Sequence, residues 1–281
     1  MMKATHTPIE TSRSLKKPQL VCGFKKMVAA GNDFVVVKSL GLSTEKYSKL
    51  AKKACDRKFG IGADGLLVME NSKIADIRMR IFNADGSEAE MCGNGARCAA
   101  YWTGKKIVKI ETKAGIINSE VKDKEVKIQL TDPFGIRLDI PIKVNNRLLK
   151  VNFVNTGVPH VVIFAEGLDK IKITDIAPYI RYHKEFAPKG TNVNFIEPID
   201  KNSFKIRTYE RGVEDETLAC GTGSVASSVI FSLKTDSGNK VNVHTKSGEI
   251  LKVYFERTRV HFTNVWLEGE AKIVYEGDYY V

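Results

Sequence analysis

Several features that would assign this chain to a broad class are missing from its sequence. No apolar run is long enough to cross a bilayer, and the first residues lack the apolar core of a secretory signal. The five cysteines form no even, regularly spaced set, so a disulfide framework is not expected. These absences predict a globular protein with reduced thiols, without a membrane partner, in the cytoplasm.

The positive charge is not concentrated in one segment either. The formal net charge is +11, but lysines and arginines are spread along the chain and form no basic helix or arm. Proteins that bind nucleic acid usually gather such residues on one face. We therefore expect no nucleic-acid partner, and a diffuse positive field would instead steer an anionic small molecule or simply keep the protein soluble.

The chain has enough apolar content for large cores, because 43% of its 281 residues are hydrophobic. Residues 44–58 place apolar side chains on one face, which predicts an amphipathic surface helix. Short strands are predicted by alternation or by β-branched composition. They cover residues 34–38, 66–69, 77–81, 107–110, 126–130, 151–154, 161–164, 204–208, 241–244, 251–255 and 260–262.

The most informative feature is a repeated cysteine turn. Residues 83–97 contain Cys92 followed by Gly-x-Gly and small residues, and residues 209–226 repeat this arrangement around Cys220. The segments after both cysteines are apolar on most faces, which predicts two buried helices. Strands on either side of each helix would wrap around it, so the sequence predicts an α+β fold with two similar lobes.

The turn-rich residues 132–135 are the best boundary between the lobes. The first lobe would cover residues 21–134 and the second residues 135–270, with the site in the cleft between them. Residues 1–20 lack apolar periodicity and are predicted to form a disordered extension.

The two cysteines lie where a helix begins, and this position suits acid–base chemistry. A helix N-terminus presents unpaired N–H groups that bind a carboxylate and favour a thiolate, so both thiols are predicted to ionise near neutral pH. Two such turns facing each other would hold one carboxylate between opposed thiols. One thiolate could remove a proton from one face of the adjacent carbon while the other thiol delivers a proton to the opposite face.

Other residues have ordinary structural interpretations when taken alone. A single cysteine is usually a core residue, and we expect this of Cys22, Cys55 and Cys98. Residues 31–34 and 191–195 are typical of turns that lead into strands. His160 would be a loop histidine and Glu210-Arg211 a solvated ion pair.

Taken together, these segments resemble the diaminopimelate epimerase family from about residue 22 onwards. The two cysteine motifs carry most of the specificity, and the remaining segments follow in the same order. The matching segments are residues 31–34, 60–65, 82–98, 156–160, 192–193 and 209–223.

The resemblance implies a cofactor-independent epimerase that interconverts LL- and meso-2,6-diaminopimelate for lysine and peptidoglycan synthesis, with no metal. It implies that Cys92 and Cys220 exchange the roles of base and acid, and that His160 and Glu210 orient and tune them. The reacting carboxylate would meet N–H groups of Gly93, Asn94, Gly221 and Thr222. The distal amino-acid end would meet Asn32, Asn83, Asn192, Glu210 and Arg211.

The resemblance also implies a fold of two lobes, each a mixed sheet rolled around a central helix. The last strand, near residues 271–281, would return to the first lobe. Two positions depart from many family members: Val158 stands where asparagine is common, and Gly65 where some have glutamine. Neither is assigned as a ligand. The sequence leaves the oligomeric state open, with a homodimer as one alternative.

Three other functions can be compared with this one. A proline or hydroxyproline racemase would share the two cysteines, but it usually has histidine where this chain has Asn94, and proline has no distal carboxylate for Arg211. A thiol–disulfide redox protein would need closer cysteines than Cys92 and Cys98. A basic RNA-binding module would show salt-dependent binding to nucleic acid.

Overall fold

The computed structural model describes residues 21–259 and 261–280, so the extension predicted for residues 1–20 lies outside the described residues. Within these ranges there are four α-helices: α1 Thr44–Ala54, α2 Gly93–Trp102, α3 Ile173–Arg181 and α4 Gly221–Thr235. Short 3-10 helices cover Leu168–Lys170 and Lys184–Phe186. No helix in the described ranges is long and apolar enough to span a membrane.

Strands dominate the rest of the described chain. In the first half they are β1 Val21–Ala29, β2 Asn32–Lys38, β3 Gly65–Glu70, β4 Ile77–Asn83, β5 Glu88–Ala89, β6 Ile107–Thr112, β7 Gly115–Lys122 and β8 Glu125–Gln129. In the second half they are β9 Phe134–Val144, β10 Arg147–Asn155, β11 Pro159–Phe164, β12 Asn192–Asp200, β13 Ser203–Glu210, β14 Asp215–Thr217, β15 Lys240–His244, β16 Ile250–Thr258, β17 His261–Glu270 and β18 Lys272–Tyr280.

Strand pairing follows one pattern twice. In the first lobe β1 and β2 are antiparallel, β2 and β3 parallel, and β3 and β4 antiparallel, while β4 pairs in parallel with β6. In the second lobe β10, β11, β12, β13 and β15 repeat these four relationships in the same order. Helices α1 and α3 connect one parallel pair in each lobe, and α2 and α4 connect the other. The predicted α+β fold with two similar lobes is confirmed.

Two pairings tie the lobes together. Strand β8 of the first lobe lies antiparallel to β17, which also pairs with β16 of the second lobe. Strand β18 then returns to pair along the whole of β1. The C-terminal strand therefore completes the first lobe's sheet, although the boundary near residue 134 stays a prediction.

The central helices are buried as their apolar sequences predict. In α2 every residue from 94 to 100 is buried, and in α4 every residue from 223 to 232 is buried. Both helices belong to one continuous apolar core and contact each other. Separate smaller cores lie beneath α1 and α3. The shared apolar core thus holds both helices, and their first residues, Gly93, Gly221 and Thr222, are only half-buried.

Some predicted elements differ from the structure. The helix predicted for residues 44–58 ends at Ala54, because the N–H groups of Ile61 and Gly62 fold back to the Ala54 carbonyl and close its last turn. Its predicted buried face is confirmed: Tyr47, Leu50, Ala51 and Ala54 are all buried. Helix α3 and strands β1, β7 and β9 were not predicted from periodicity.

Candidate active site

Cys92 and Cys220 occupy the same structural position in the two lobes. Each is the N-cap of a central helix, with extended backbone angles of φ −144° and ψ 124° at Cys92 and φ −120° and ψ 115° at Cys220. An N-cap serine or threonine would satisfy the first-turn N–H groups, but neither cysteine caps its helix through its side chain. The first-turn N–H groups are thereby open to other acceptors, and some of them act on the cysteine sulfurs themselves.

The surroundings of Cys92 combine amides from two elements. Its Sγ lies 3.8 Å from Asn32 Oδ1, and the backbone N–H groups of Asn94 and Gly95 point to the sulfur. Burial raises the pKa of Cys92, the two N–H groups lower it, the charge of Glu210 raises it, and that of Arg97 lowers it. The net direction is upward.

Cys220 has a different set of neighbours. Its Sγ lies 3.5 Å from Thr222 Oγ1, and one backbone N–H, from Gly223, acts on the sulfur. Burial raises the pKa of Cys220 strongly, and the charges of Glu210 and Cys92 add to this increase. Because Glu210 acts on both thiols and Cys92 acts on Cys220, the three groups form one electrostatic cluster.

The prediction that both thiols ionise near neutral pH is therefore wrong for the unliganded protein. The helix N-termini do favour the thiolates, as expected, but removing a charged sulfur from water costs more than the N–H groups return. A ligand that alters the charge around Glu210 would change this balance.

Glu210 ends strand β13, close enough to both thiols for its charge to act on them. Burial raises its pKa. The interpretation of Glu210 and Arg211 as a solvated ion pair is wrong, since no ion pair joins them within residues 21–259 and 261–280. The charge of Glu210 acts on the two thiols, and that of Arg211 acts on His160.

Arg211 is anchored through its backbone. Its N–H donates to Asn192 Oδ1 at 2.8 Å, while Asn192 Nδ2 donates to the Pro159 carbonyl at 3.1 Å. The guanidinium itself makes one long contact, 3.4 Å from Nη1 to the Lys189 carbonyl. The Asn192 side chain therefore positions the loop that carries Arg211 and leaves most guanidinium donors for a ligand.

His160 is fully buried behind the second cysteine turn. Its Nδ1 lies 3.1 Å from Asn194 Nδ2, and Asn194 Oδ1 accepts from Thr208 Oγ1 at 3.0 Å. Burial lowers the pKa of His160 to about 3, so the imidazole is neutral. It makes no hydrogen bond to either thiol within the described residues. Its predicted tuning role would act through Asn194.

Asn32 and Asn83 belong to the first lobe, where Asn32 begins β2 and Asn83 ends β4. Asn32 Nδ2 donates to Asp64 at 2.6 Å, and Asp64 is held by Arg57 at 2.7 Å. Asn83 donates to Ser87 Oγ at 2.9 Å in the turn between β4 and β5, and the N–H of the next residue, Ala84, donates to the Asp64 carbonyl at 3.2 Å. Asp64 thus links both predicted ligands.

The remaining predicted ligands are backbone groups. Gly93 and Gly221 begin α2 and α4, and Asn94 and Thr222 follow them, so all four N–H groups lie in the unpaired first turns. Of the two departures, Val158 accepts the Thr156 N–H at 3.1 Å through its carbonyl. At Gly65 an added Cβ would lie 2.9 Å from the Phe82 carbonyl oxygen, so a longer side chain would require this strand pair to shift.

Three residues near the site had no role in the sequence interpretation: Asp64, Asn194 and Arg97. Each lies inside a motif that was recognised; Asp64 and Asn194 contact residues that are distant in sequence, whereas Arg97 contacts Asn94, three residues earlier. Asp64 orients Asn32, and Asn194 bridges strands β12 and β13. The signal that could have identified them is a polar residue within an otherwise apolar or glycine-rich segment.

Comparison with known proteins agrees with this geometry. The diaminopimelate epimerase family model matches residues 24–134 and 152–273. The chain is 42% identical to the diaminopimelate epimerase of Hydrogenobaculum sp. (strain Y04AAS1), with 90% of this chain and 96% of that protein covered. It is 41% identical to that of Aquifex aeolicus, with 90% and 96% covered.

Solved structures with low sequence identity share the fold. A Bacillus anthracis phenazine biosynthesis protein of the PhzF family aligns with a TM-score of 0.72 at 19% identity, over 93% of this chain and 100% of that chain. A hydroxyproline epimerase from Agrobacterium vitis aligns with a TM-score of 0.65 at 13% identity, over 93% of each chain. The match of the family model to most of the chain and the identity to curated relatives place this protein in the diaminopimelate epimerase family, as an isomerase.

Proposed function

We propose that this protein interconverts LL- and meso-2,6-diaminopimelate: one of Cys92 and Cys220 removes the α-proton, and the other donates its own proton to the opposite face of the carbon. The observation that carries the proposal is the pair of cysteines at equivalent helix N-termini, close enough for the charge on one to affect the other. The relatives named diaminopimelate epimerase support the choice of substrate.

The two first turns offer a place for the reacting carboxylate. The N–H groups of Gly93, Asn94, Gly221 and Thr222 would donate to its oxygens, and the helix dipoles would stabilise its charge. This position sets the α-carbon between the two sulfurs. One thiolate accepts the α-proton, and the opposite thiol donates its own proton to the other face of the carbon.

The distal end of the substrate is recognised by charge and by amides. The guanidinium of Arg211 forms a planar fork suited to a carboxylate, and Glu210 suits an ammonium group. Asn32, Asn83 and Asn192 surround this end. An ammonium beside Glu210 would offset the negative charge that raises the pKa of both thiols, so substrate binding would itself promote ionisation.

We also infer the setting of the reaction. All five cysteines are free thiols, which suits the reducing cytoplasm. The product would supply lysine and peptidoglycan synthesis, as the resemblance to the family implies. The proposed mechanism needs no cofactor, because both proton carriers are side chains of the chain itself.

Deuterium exchange tests the proposal directly. The reduced protein is incubated in deuterated water with diaminopimelate and, separately, with proline, and the α-hydrogen is followed by NMR. We expect exchange and epimerisation of diaminopimelate without any added cofactor, and none of proline. A folded, reduced sample that exchanges only proline would assign the site to a racemase, and one that exchanges neither would refute the two-thiol proposal.

The cysteine variants provide the matched control. Cys92→Ala and Cys220→Ala should each abolish epimerisation, since one face of the carbon then has no proton carrier. Cys98→Ala removes a buried thiol from the same helix as Cys92 and should retain epimerisation. An unchanged rate in either of the first two variants would remove that cysteine from the mechanism.

A further inference from the structure

A buried arginine lies behind the first cysteine turn. Arg97 is 0% exposed and is the largest fully buried side chain of the described residues. Its Nη2 donates to Asn94 Oδ1 at 2.9 Å, which brings the guanidinium back to the first turn of α2. The guanidinium also packs against β17, where a Cβ on Gly269 would lie 3.5 Å from Arg97 Cζ.

The positive charge of Arg97 has no carboxylate partner. Its Nε and Nη1 have no hydrogen-bond partner among the described residues, and none of the ion pairs found there includes it. Burial lowers the pKa of Arg97, but a guanidinium is too basic to lose its proton in a protein. An uncompensated buried charge costs several kcal/mol, so a nearby anion would be strongly stabilised.

The ionisable groups that act most strongly on Arg97 are Cys98, Cys92, Glu249 and Glu125. Burial holds the pKa of Cys98 far above its usual range, so this thiol stays protonated. Glu249 accepts the Ala30 N–H at 2.9 Å and Glu125 lies 3.4 Å from Lys252, and within the described residues neither carboxylate forms an ion pair with Arg97. Cys92 is the N-cap of the helix that carries Arg97, so its ionisation would place a negative charge at the turn to which the guanidinium is bonded.

The second lobe has no such cation. The residue five positions after Cys92 is Arg97, and the residue five positions after Cys220 is Val225, which is also fully buried. The N–H groups of Gly95 and Asn94 act on Cys92, whereas the Thr222 hydroxyl and the Gly223 N–H act on Cys220. The two central helices thus repeat each other in backbone structure, but only α2 has a buried positive charge behind its cysteine.

Two neighbours act against ionisation of Cys92. The charge of Glu210 opposes it, but Glu210 opposes ionisation of Cys220 as well and so does not distinguish the thiols. Asn32 Oδ1 accepts a hydrogen bond from the protonated Cys92 at 3.8 Å. A thiol is a weak donor, and this contact is worth less than the cost of leaving a buried guanidinium unpaired.

We propose that Arg97 is the buried counter-charge of the Cys92 thiolate, and that Cys92 therefore ionises before Cys220 in the unliganded enzyme. Arg97 is a positioning residue here, because it does not touch the substrate. The inference rests on the proposed two-thiol function and assigns its first step.

The unequal thiols give the two reaction directions different starting points. A stereoisomer whose α-hydrogen faces Cys92 uses the thiolate that forms first: Cys92 takes the proton, and Cys220 gives its own. Turnover leaves Cys92 protonated and Cys220 ionised. The initial arrangement returns when Cys220 takes a proton and Cys92 loses one, and the opposite stereoisomer reacts from the state that precedes this exchange.

Alkylation of the wild-type enzyme is the primary test, because iodoacetamide reacts with the thiolate and needs no substrate. The rate at each cysteine is followed across pH by peptide mass spectrometry. We expect Cys92 to reach half-maximal reactivity at a lower pH than Cys220. Equal midpoints, or a lower midpoint at Cys220, would overturn the proposal. Since no substrate is present, this outcome is independent of the deuterium-exchange test.

Variants at Arg97 identify the cause. At a fixed pH below the Cys92 midpoint, Arg97→Met should slow alkylation of Cys92 about tenfold or more, which corresponds to one pKa unit, and leave Cys220 unchanged. Arg97→Lys should keep the wild-type order. Val225→Met repacks the equivalent position of α4 without a charge change and should also keep the order.

Circular dichroism and thermal melting verify that each variant is folded. If Arg97→Met does not fold, Arg97→Gln replaces it, because glutamine has no charge but can still donate to Asn94 Oδ1, and it should slow alkylation of Cys92 in the same way. An Arg97→Met protein that folds and alkylates Cys92 at the wild-type rate would refute the role of Arg97.

Discussion

Glu210 is the residue whose charge most directly couples the two thiols. Its carboxylate raises the pKa of both Cys92 and Cys220, beyond the effect of burial. A single side chain therefore adds to burial in favouring the protonated form of both thiols. The structure places this residue at the end of β13, where Asn83 ends β4 in the first lobe.

Removing the charge of Glu210 should make both thiols more acidic. In Glu210→Gln the pKa of each thiol falls, so the thiolate fraction at a fixed pH below the midpoints rises. We expect iodoacetamide to react several-fold faster with both Cys92 and Cys220, measured peptide by peptide. Asp215→Asn removes an exposed acid from β14, the strand that pairs with the end of β13, and should leave both rates unchanged. Slower alkylation in Glu210→Gln would contradict this prediction.

His160 should affect acid stability. Its pKa is about 3 in the folded protein and near 6.5 when unfolded, so the unfolded chain binds one proton more between these values. The contribution of neutral His160 to the free energy of unfolding is fully present above pH 6.5 and is lost as the pH falls towards 3. Compared with His160→Gln, the wild type should lose about 1.4 kcal/mol more of unfolding free energy per pH unit inside this window.

Denaturant unfolding of both proteins at several pH values measures this difference. His261→Gln replaces an exposed histidine on β17 and should follow the wild-type profile. Parallel curves for the wild type and His160→Gln would show that His160 is not buried in its neutral form.

For single residues, the sequence predicted which cysteines belong to the core better than it predicted the pKa values of the two site thiols. The core roles expected for Cys22, Cys55 and Cys98 are confirmed by their burial. The lowered pKa expected for Cys92 and Cys220 was wrong in direction, because the burial that raises it depends on strands that are distant in sequence. Arg97 had no assigned role for the same reason, since its unpaired state depends on β17 as well as on α2.

Two glycines at the same position of α2 and α4 have different packing. An added Cβ at Gly95 would lie 3.2 Å from Leu67 Cδ2, the end of a flexible side chain. At Gly223 it would overlap Asn194 Oδ1, which is held by Thr208. Although the two helices have the same backbone structure, the third residue of α4 is packed more tightly than the third residue of α2.

This difference predicts unequal effects of the same substitution. Gly95→Ala should change the free energy of unfolding by less than about 1 kcal/mol, because the gain in helix propensity offsets a small shift of Leu67. Gly223→Ala should cost about 1–3 kcal/mol, because Asn194 has to move and lose its hydrogen bonds. Urea titration of both variants measures this, and equal losses would contradict the prediction.

Periodicity predicted the elements that separate a buried from an exposed face. The α1 stripe and the strands flanking the central helices are of this kind. Strand β9 was missed because most of its residues are exposed or half-buried, and its pairing with β10 supplies the order that the pattern lacks. Helix α3 was missed because it is short and contains Pro178, and packing of its buried face stabilises it instead.

For the whole molecule, the return of β18 to β1 makes the C-terminus part of the first lobe. This strand pairs with β1 from Val21 to Val28, and Tyr275 packs edge-on against Phe24 with ring centroids 5.9 Å apart. Periodicity alone could not have predicted this pairing, because its partners are at opposite ends of the chain. The resemblance to the family supplied it.

Truncation after Ala271 should therefore weaken the first lobe, although it leaves every proposed site residue in place. Cys22 is 2% exposed on β1 and packs with Tyr279 in the core beneath α1. In the truncated protein we expect a lower melting temperature and rapid reaction of Cys22 with a thiol reagent under native conditions. Cys55 and Cys98 should stay protected, and a protected Cys22 would contradict the prediction.

The same pairing dictates the order in which the molecule can be completed during synthesis. The second lobe can form its own sheet as the ribosome releases it, but one edge of β1 stays unpaired until Lys272–Tyr280 has been translated. The first lobe to be made is thus the last to be finished. A nascent chain stalled before this strand would present an open sheet edge to chaperones and to other nascent chains, and release of the final residues would close it.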